Sequence, residues 1–342
     1  MLSATIDNLI KNLKPRQQDV LINRFGLDDG KKKTLANIGG KYNLTRERVR
    51  QIEEEALRTI QNHIDEKEKS IKEIKGLIAN HLETLGGLRR DNLLLLELKH
   101  ILKDKGLHHW HLRFLSEIIG QPLYHSGNNN FHNFWYLDKK AIQLADRFTS
   151  QLKKSIIDKK EEIIVHGRFH DYFIKIVKTH RLPDSVGLNY LSVSRKFGVN
   201  PFGDLGLSHW EEITPKTVKS KTYLILKKHG KPLHFRDIAE AINKINAGKR
   251  PALPQTVHNE LIKDQRFVLV GRGIYGLAEH GFKPGVAQEV IRRTLKEKGP
   301  LYLKDIINEV LKQRTLKENT IVLNLQNKKY FKKLADGRYT VR

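Results

Sequence analysis

Three side chains near residue 50 have the chemistry to read the edges of DNA bases: Arg46, Glu47 and Gln51. An arginine can donate two hydrogen bonds to guanine, a glutamate can accept one from the cytosine amino group, and a glutamine can pair with adenine. At about 100° per residue, these side chains share one arc of a helix with Arg50. Because an α-helix fits the major groove, the spacing predicts a base-reading helix.

Four short helices must position this face. The apolar pattern predicts a helix over residues 1–13, and Pro15 suits the first turn of a second helix. Thr34 is expected to cap a third helix and Thr45 a fourth, with a turn at Asn43 between them. The buried stripe of the fourth helix should consist of Val49, Ile52, Ala56 and Ile60.

The same segment resembles region 4 of the primary sigma factors of bacterial RNA polymerase. The resemblance is carried by the runs RQQDVL (16–21), RFGL (24–27), TLANIG (34–39) and LTRERVRQIE (44–53). In that family this domain binds the −35 promoter element and contacts the flap of the polymerase β subunit. The resemblance therefore implies double-stranded DNA as a partner, with RNA polymerase, through its β-flap, as a second.

The family's DNA-contacting residues carry over position by position. The base-reading positions correspond to Arg46, Glu47 and Gln51. The DNA backbone positions correspond to Arg16, Arg24, Thr45, Arg48 and Arg50. Two glutamates depart from the family pattern, because Glu54 and Glu55 stand where a small and a basic residue are usual, and an acidic pair would repel a phosphate.

The sigma-like segment accounts for less than a fifth of the chain. No segment resembles region 2, the part of a sigma factor that opens the promoter with a cluster of aromatic residues. We therefore expect that the protein does not start transcription as the only sigma factor.

Composition supports a polyanionic partner. The chain of 342 residues has a net charge of +25, of which about +4 falls in residues 1–63, +5 in 64–216 and +16 in 217–342. Such a charge repels itself unless a polyanion shares it. The chain has no cysteine and no apolar run long enough to span a membrane. These features predict a cytoplasmic, nucleoid-associated protein with no membrane partner.

The C-terminal half contains a repeat. Residues 221–277 resemble 290–341, and a set of positions recurs at an offset of 64. The recurring pairs are Thr256 and Thr320, Val257 and Ile321, Leu261 and Leu325, Phe267 and Phe331, Gly273 and Gly337, and Tyr275 and Tyr339. The order helix, turn, helix, helix and hairpin is that of a winged helix. Weaker copies place further hairpin ends near residues 137 and 207.

The predicted fold class is mainly α with small β-wings, a helix-turn-helix followed by tandem winged-helix units. The expected domains are a sigma region 4-like helix-turn-helix (1–64) and four winged helices (65–138, 139–215, 216–281 and 282–342).

Residues 221–281 resemble the HARE-HTH domain. The carrying runs are GKPLHFRDIA (230–239) and GRGIYGL (271–277). The family includes the N-terminal domain of the RNA polymerase delta subunit, and modules fused to restriction enzymes and chromatin proteins. A winged helix without chemistry of its own is implied. Arg272 at the tip of the wing, and Lys328 and Lys329 in the last unit, are expected to contact the DNA backbone.

Other signals are discounted. Residues 271–276 match the pattern G-x-G-x-x-G, but strand-like segments flank them on both sides, which favours a wing turn over a nucleotide site. Five histidines, at 108, 109, 111, 125 and 132, lack the spacing of a metal site. Trp110, Trp135 and Trp210 are expected in small cores. We predict no enzyme activity, metal, cofactor or small-molecule substrate.

Three functions remain open. The first is a transcription regulator that recognises a −35-like element and uses its winged helices for further DNA or polymerase contacts. The second is a polymerase-associated factor that competes with a sigma factor at the β-flap. The third is the targeting subunit of a restriction or DNA-processing system.

Overall fold

The computed structural model describes residues 2–67, 69–245 and 250–342. Helices dominate, and the strands form small antiparallel sheets, so the predicted fold class is confirmed. The chain forms two compact units. The first contains Met1–Gly198 and Leu205–Ser208, and the second contains Val199–Asp204 and His209–Arg342. Among the described residues, no helix is both long and apolar enough to cross a bilayer.

The first unit begins with the expected helix-turn-helix. Pro15 lies in the first turn of the second helix, and the side chain of Thr34 caps the third by accepting from the amide of Asn37. Gly26 ends the second helix with a positive φ of 66°, where a side chain would be strained. The helices are α1 (Leu2–Lys11), α2 (Pro15–Phe25), α3 (Leu35–Tyr42) and α4 (Arg46–Lys67).

The next segment has the element order of a winged helix. Its three strands form an antiparallel sheet in the order β1-β3-β2, with Leu88 opposite Tyr136 and Leu123 opposite Tyr136 on the other side. The elements are α5 (Lys69–Thr84), β1 (Leu88–Arg90), α6 (Asp91–Ile101), α7 (His109–Ile119), β2 (Leu123–His125) and β3 (Phe134–Tyr136).

One hydrophobic core joins the helix-turn-helix to this segment. The core runs from Leu2 on α1 to Trp135 on β3, and both side chains are fully buried. Helix α7 contributes its apolar face to that core, with Phe114 edge-on to Phe25 of α2 at a centroid distance of 5.1 Å. The helix-turn-helix therefore buries its apolar surface against a neighbouring segment rather than against itself alone.

Four helices and a hairpin complete the first unit's part of the chain. Asn189, which is 2% exposed, fastens them to the preceding segment because its amide donates to the carbonyls of Leu85 and Leu88. The Tyr190 hydroxyl donates to the carbonyl of Gly86. The elements are α8 (Lys139–Ile156), α9 (Lys160–Ile164), α10 (Phe169–His180), α11 (Asp184–Val193), β4 (Phe197–Val199) and β5 (Leu205–Leu207).

The second unit contains a complete winged helix. Its sheet has the order β6-β8-β7, the same arrangement as in the first unit's three-stranded sheet. Arg272 and Gly273 form the turn that joins β7 to β8, so the expected wing turn is confirmed. The elements are α12 (Val218–His229), β6 (Leu233–His234), α13 (Phe235–Ile245), α14 (Pro254–Lys263), β7 (Phe267–Gly271), β8 (Ile274–Leu277) and a short 3₁₀ helix (Ala278–His280).

The repeat follows with the same order, and a bridge between Leu301 and Tyr339 takes the place of the first strand. Arg314, 7% exposed, ties it to the preceding winged helix by donating to the carbonyls of Leu269, Lys283 and Gly285. The elements are α15 (Ala287–Lys298), α16 (Leu303–Gln313), α17 (Glu318–Leu325), β9 (Phe331–Lys333) and β10 (Tyr339–Val341).

Each hairpin ends where the spacing predicted. The last strands of the four hairpins stop at Tyr136, Leu207, Leu277 and Val341. Of the tryptophans expected in cores, Trp135 and Trp210 are buried. The division into five domains at residues 64, 138, 215 and 281 stays a prediction.

Candidate nucleic-acid interface

The turn between α3 and α4 is held by close backbone contact. The amide of Leu44 donates to the carbonyl of Gly39 at 2.9 Å. A Cβ built on Gly39 would lie 2.5 Å from the carbonyl oxygen of Leu44, so any side chain there would force the turn apart. Asn43 takes the left-handed conformation that ends α3 (φ 54°). This turn sets the angle at which α4 leaves α3.

A small core fixes the rotation of α4 about its axis. Val20, Ile38, Val49 and Ile52 pack together, each no more than 6% exposed. Further along the same stripe, Ala56 and Ile60 are also buried, so the predicted stripe is confirmed. With this face buried, the opposite face of α4 is directed to solvent.

The predicted base-reading residues lie on that solvent face. Arg46, Glu47 and Gln51 are all exposed at the start of α4. The hydroxyl of Thr45 accepts from the amide of Arg48 at 3.1 Å and caps the helix, as expected for that position. The first turn of α4 therefore presents a guanidinium, a carboxylate and an amide from one rigid element.

The acceptors on this face are paired along the helix. Glu47 accepts from Arg50, at 2.6 Å in the shortest contact, and Arg50 also pairs with Glu54. The hydrogen bond from Arg50 lowers the pKa of Glu47 below its usual value, so the carboxylate stays ionised. The Oε1 of Gln51 accepts from Arg48 at 2.9 Å.

Two flanking arginines border the face. Arg24 of α2 donates to the carboxylate of Glu53 at 3.2 Å and to the carbonyl of Lys33 at 3.4 Å. Arg16 is exposed, with its guanidinium 5.4 Å from the ring centre of Tyr42. The two arginines lie at opposite ends of α2, with Arg24 beside α4 and Arg16 beside α3.

An acidic network fixes the orientation of Tyr42. Asp19 accepts from the Tyr42 hydroxyl and from the ammonium of Lys41, the latter at 2.8 Å. Burial acts to raise the pKa of Asp19, but the hydrogen bonds from Lys41 and Tyr42 outweigh it and hold the pKa below the ordinary value. The Asp19 carboxylate on α2 therefore links α2 to α3 through Lys41 and Tyr42.

The predicted backbone contacts of the second unit are exposed. Arg272 stands at the turn between β7 and β8, where Gly273 has a φ of 69°. Lys328 and Lys329 follow α17, with the ammonium of Lys329 5.5 Å from the ring centre of Tyr330. A cavity of about 600 Å³ beside them is lined in part by Gln326, Lys328, Lys332, Lys333 and Arg342.

A basic cluster that no sequence pattern indicated lies where α7 meets the helix-turn-helix. Arg113 of α7 lies over the ring of Tyr124, with 3.9 Å between its Cζ and the ring centre. Lys32 is an exposed residue, yet its pKa is lowered by desolvation of its ammonium and by the nearby charges of Arg113 and Arg24. Lys32 and Arg113 are 81 positions apart in the sequence, and only long-range packing brings their charges close enough to interact.

The histidines do not gather into a metal site. Over the described ranges, no cluster of three or more potential ligands is present. His108 stacks on Trp110 with 4.2 Å between ring centres, and His109 lies 3.0 Å from Asp91. Burial lowers the pKa of His111, which keeps its ring neutral. These contacts give the histidines a packing role around the start of α7.

Comparison with known families identifies two segments. Residues 9–62 match the family described as sigma-70, region 4. Residues 216–280 match the HARE-HTH family, a helix-turn-helix domain described by its occurrence in ASXL proteins and restriction endonucleases, among others. Both resemblances are therefore confirmed.

The relatives of the first segment are sigma factors. Over 62 residues the chain is 50% identical to the RNA polymerase sigma factor SigA of Microcystis aeruginosa and to that of Synechocystis sp.. It is 47% identical over 62 residues to SigA of Clostridium acetobutylicum. The match covers 18% of this chain and 15% or 16% of these relatives. The likeness thus concerns one small domain and spans less than a fifth of each chain.

Proposed function

We propose that this protein is a sequence-specific DNA-binding transcription regulator that recognises a −35-like promoter element through α4. The observation that carries the proposal is the exposed set Arg46, Glu47 and Gln51 at the start of a helix whose other face is buried. The sigma region 4 match over the same residues supports it. The protein works in the cytoplasm and brings no catalysis of its own.

The mechanism is exchange of hydrogen bonds. In the free protein, Glu47 is held by Arg50 and Gln51 by Arg48. In the major groove, Glu47 accepts instead from a cytosine amino group, while Arg46 donates to a guanine and Gln51 pairs with an adenine. The released Arg48 and Arg50, with Arg16, Arg24 and the start of the helix at Thr45, hold phosphates.

The winged helices add affinity rather than the main sequence preference. The last 126 residues carry about +16 of the net charge. Arg272, Lys328 and Lys329 contact phosphates, and each neutralised phosphate releases counterions and makes binding more dependent on salt.

Selection of binding sites from random duplex DNA tests the proposal. The full-length protein should enrich a −35-like hexamer. Glu47→Ala should relax the preference at one cytosine-containing base pair by roughly 1–3 kcal/mol and leave the other positions unchanged. Glu73→Ala, which removes the same charge from an exposed glutamate on α5, is the matched control. Selection without an enriched motif, or with a motif that Glu47→Ala does not alter, would refute base reading by α4.

RNA polymerase is the proposed second partner, with the β-flap as its contact. The sigma-like segment supports this because the matched relatives are sigma factors. Purified core polymerase should retain the protein in the absence of DNA, and an excess of a sigma factor should displace it if both use the flap. Retention that a sigma factor does not reduce would place the contact elsewhere on the polymerase.

A further inference from the structure

The start of α7 packs against the loop that follows α2. A Cβ built on Gly30 would lie 2.8 Å from the ring of Trp110, so this loop sits directly on the tryptophan. Phe114, one turn further along α7, contacts Phe25 at the end of α2. Two independent contacts therefore fix one side of α7 against residues 25–30.

Arg113 lies on that side of α7, three residues after Trp110 and next to Phe114. Its guanidinium is held over the Tyr124 ring at 3.9 Å, which limits its motion, and the residue remains partly exposed. The lowered pKa of Lys32, caused by desolvation and then by the charges of Arg113 and Arg24, agrees with this placement. Glu117 acts on Lys32 in the opposite direction, so the cluster is only partly neutralised.

The cluster continues an edge of α4. Glu53, the partner of Arg24, follows Arg46 by seven residues. Seven residues bring the chain back to within about 20° around a helix and advance it by about 10 Å. Arg24 therefore flanks the same edge of α4 that carries Arg46, about two turns further on. Lys32 lies close enough to Arg24 and Arg113 for both of their charges to act on its ammonium.

We propose that Lys32 and Arg113 form a DNA phosphate-binding site that extends the footprint of the helix-turn-helix onto α7. The inference rests on the proposed DNA binding, and it means that α7 contacts the DNA directly. The ligand is the phosphate backbone of the duplex flanking the element that α4 reads. A phosphate bound there accepts hydrogen bonds from the guanidinium of Arg113 and the ammonium of Lys32, and it replaces the water around both groups.

The test is the salt dependence of binding by full-length protein to its selected duplex, with flanking DNA on both sides. Arg113→Gln keeps a side chain over Tyr124 and removes the charge. It should flatten the plot of log affinity against log salt by about 0.9. The affinity advantage of the wild type should therefore shrink about threefold between 50 and 200 mM salt. Arg113→Lys should restore most of the slope.

Two further variants keep the result interpretable. Lys32→Gln, in an exposed loop, should lower the slope by a similar amount without touching the core. Arg147→Gln, an exposed arginine on α8, is the charge-matched control and should leave the slope unchanged. A wild-type slope in both Arg113→Gln and Lys32→Gln, with the selected motif still bound, overturns this site alone. Absence of sequence-preferred binding by the wild type overturns the proposed function, and this site with it.

Discussion

Two segments of the chain have the element order of a winged helix, and they differ in how much of their third helix is buried. In the segment that begins with α5, the third helix is α7, and it places four residues, Leu112, Phe114, Leu115 and Ile118, in the core shared with the helix-turn-helix. In the last segment the third helix, α17, buries only Ile321 and Leu325 and leaves Leu323 66% exposed. One arrangement gives the third helix a structural partner, and the other leaves its outer face available.

The start of α4 and the residues just after α17 also differ in how their surface charges are paired. On α4, Arg50 pairs with Glu47 and Glu54. In the last segment, Lys328 and Lys329 form no ion pair with a carboxylate in the described part of the chain. Ion pairs hold charged side chains in place in the free protein. They favour selectivity in DNA binding, because each pair must be replaced by a hydrogen bond to a matching base. Unpaired cations favour affinity that is independent of sequence.

The largest expected effect comes from breaking the packing of α7. Phe114 is fully buried against Phe25, so Phe114→Ala should lower the free energy of unfolding of the first unit by about 3–5 kcal/mol. Leu323→Ala at the outer face of α17 should change the stability of the second unit by less than about 0.5 kcal/mol.

Hydrogen exchange followed by mass spectrometry measures both variants, because peptides from α1–α7 and from α15–α17 are read separately in the full-length protein. If Phe114→Ala and Leu323→Ala have equally small effects, α7 is not the helix that covers the helix-turn-helix.

An intermediate effect is expected from the unpaired lysines. The double change Lys328→Gln and Lys329→Gln should flatten the plot of log affinity against log salt by about 1.8, because two phosphates lose their partners. The control is Lys298→Gln with Lys312→Gln, which removes the same charge from lysines that already pair with Glu309 at 2.7 and 2.9 Å. Equal flattening in both double variants would indicate a response to net charge rather than contact by Lys328 and Lys329.

The sequence predicts the parts of this arrangement that local chemistry determines. Pro15, Thr34 and Thr45 mark helix starts, and the apolar period around Val49 sets the buried stripe, so the reading face follows from residues within a few turns of it. The repeat is visible because its small cores reuse the same residue types at a fixed offset.

Long-range packing lies beyond such patterns. The run HLRFLSEII (111–119) is typical of an apolar helix, but its sequence does not show which element it packs against. The packing of α7 on α2 and the proximity of Arg113 to Lys32 therefore do not follow from the sequence. The same holds for Arg314, whose contacts are backbone carbonyls 29 to 45 residues away and leave no trace in side-chain patterns.

The smallest expected effect concerns the acidic pair that departs from the sigma pattern. Around α4, Glu54 falls about 140° from Val49, within the reading arc, whereas Glu55 falls about 240° away, outside it. Glu54 pairs with Arg50, and no guanidinium or ammonium partner is seen for Glu55 in the described residues. A charge at 54 therefore acts on both a phosphate contact and the exchange that frees Glu47.

Glu54→Gln should tighten binding to the selected duplex by up to about fivefold, since exposed ion pairs and charge repulsions are each worth less than about 1 kcal/mol. Two effects act together. Arg50 loses one of its two carboxylate partners and turns more readily to a phosphate, and the approaching backbone no longer meets a negative charge at that position. Glu55→Gln removes the same charge from the neighbouring position outside the arc, so fluorescence anisotropy at one salt concentration should show little change for it. Weaker binding by Glu54→Gln would mean that its pair with Arg50 orients Arg50 for DNA rather than competing with it, and equal tightening by both variants would mean that only the net charge of α4 matters.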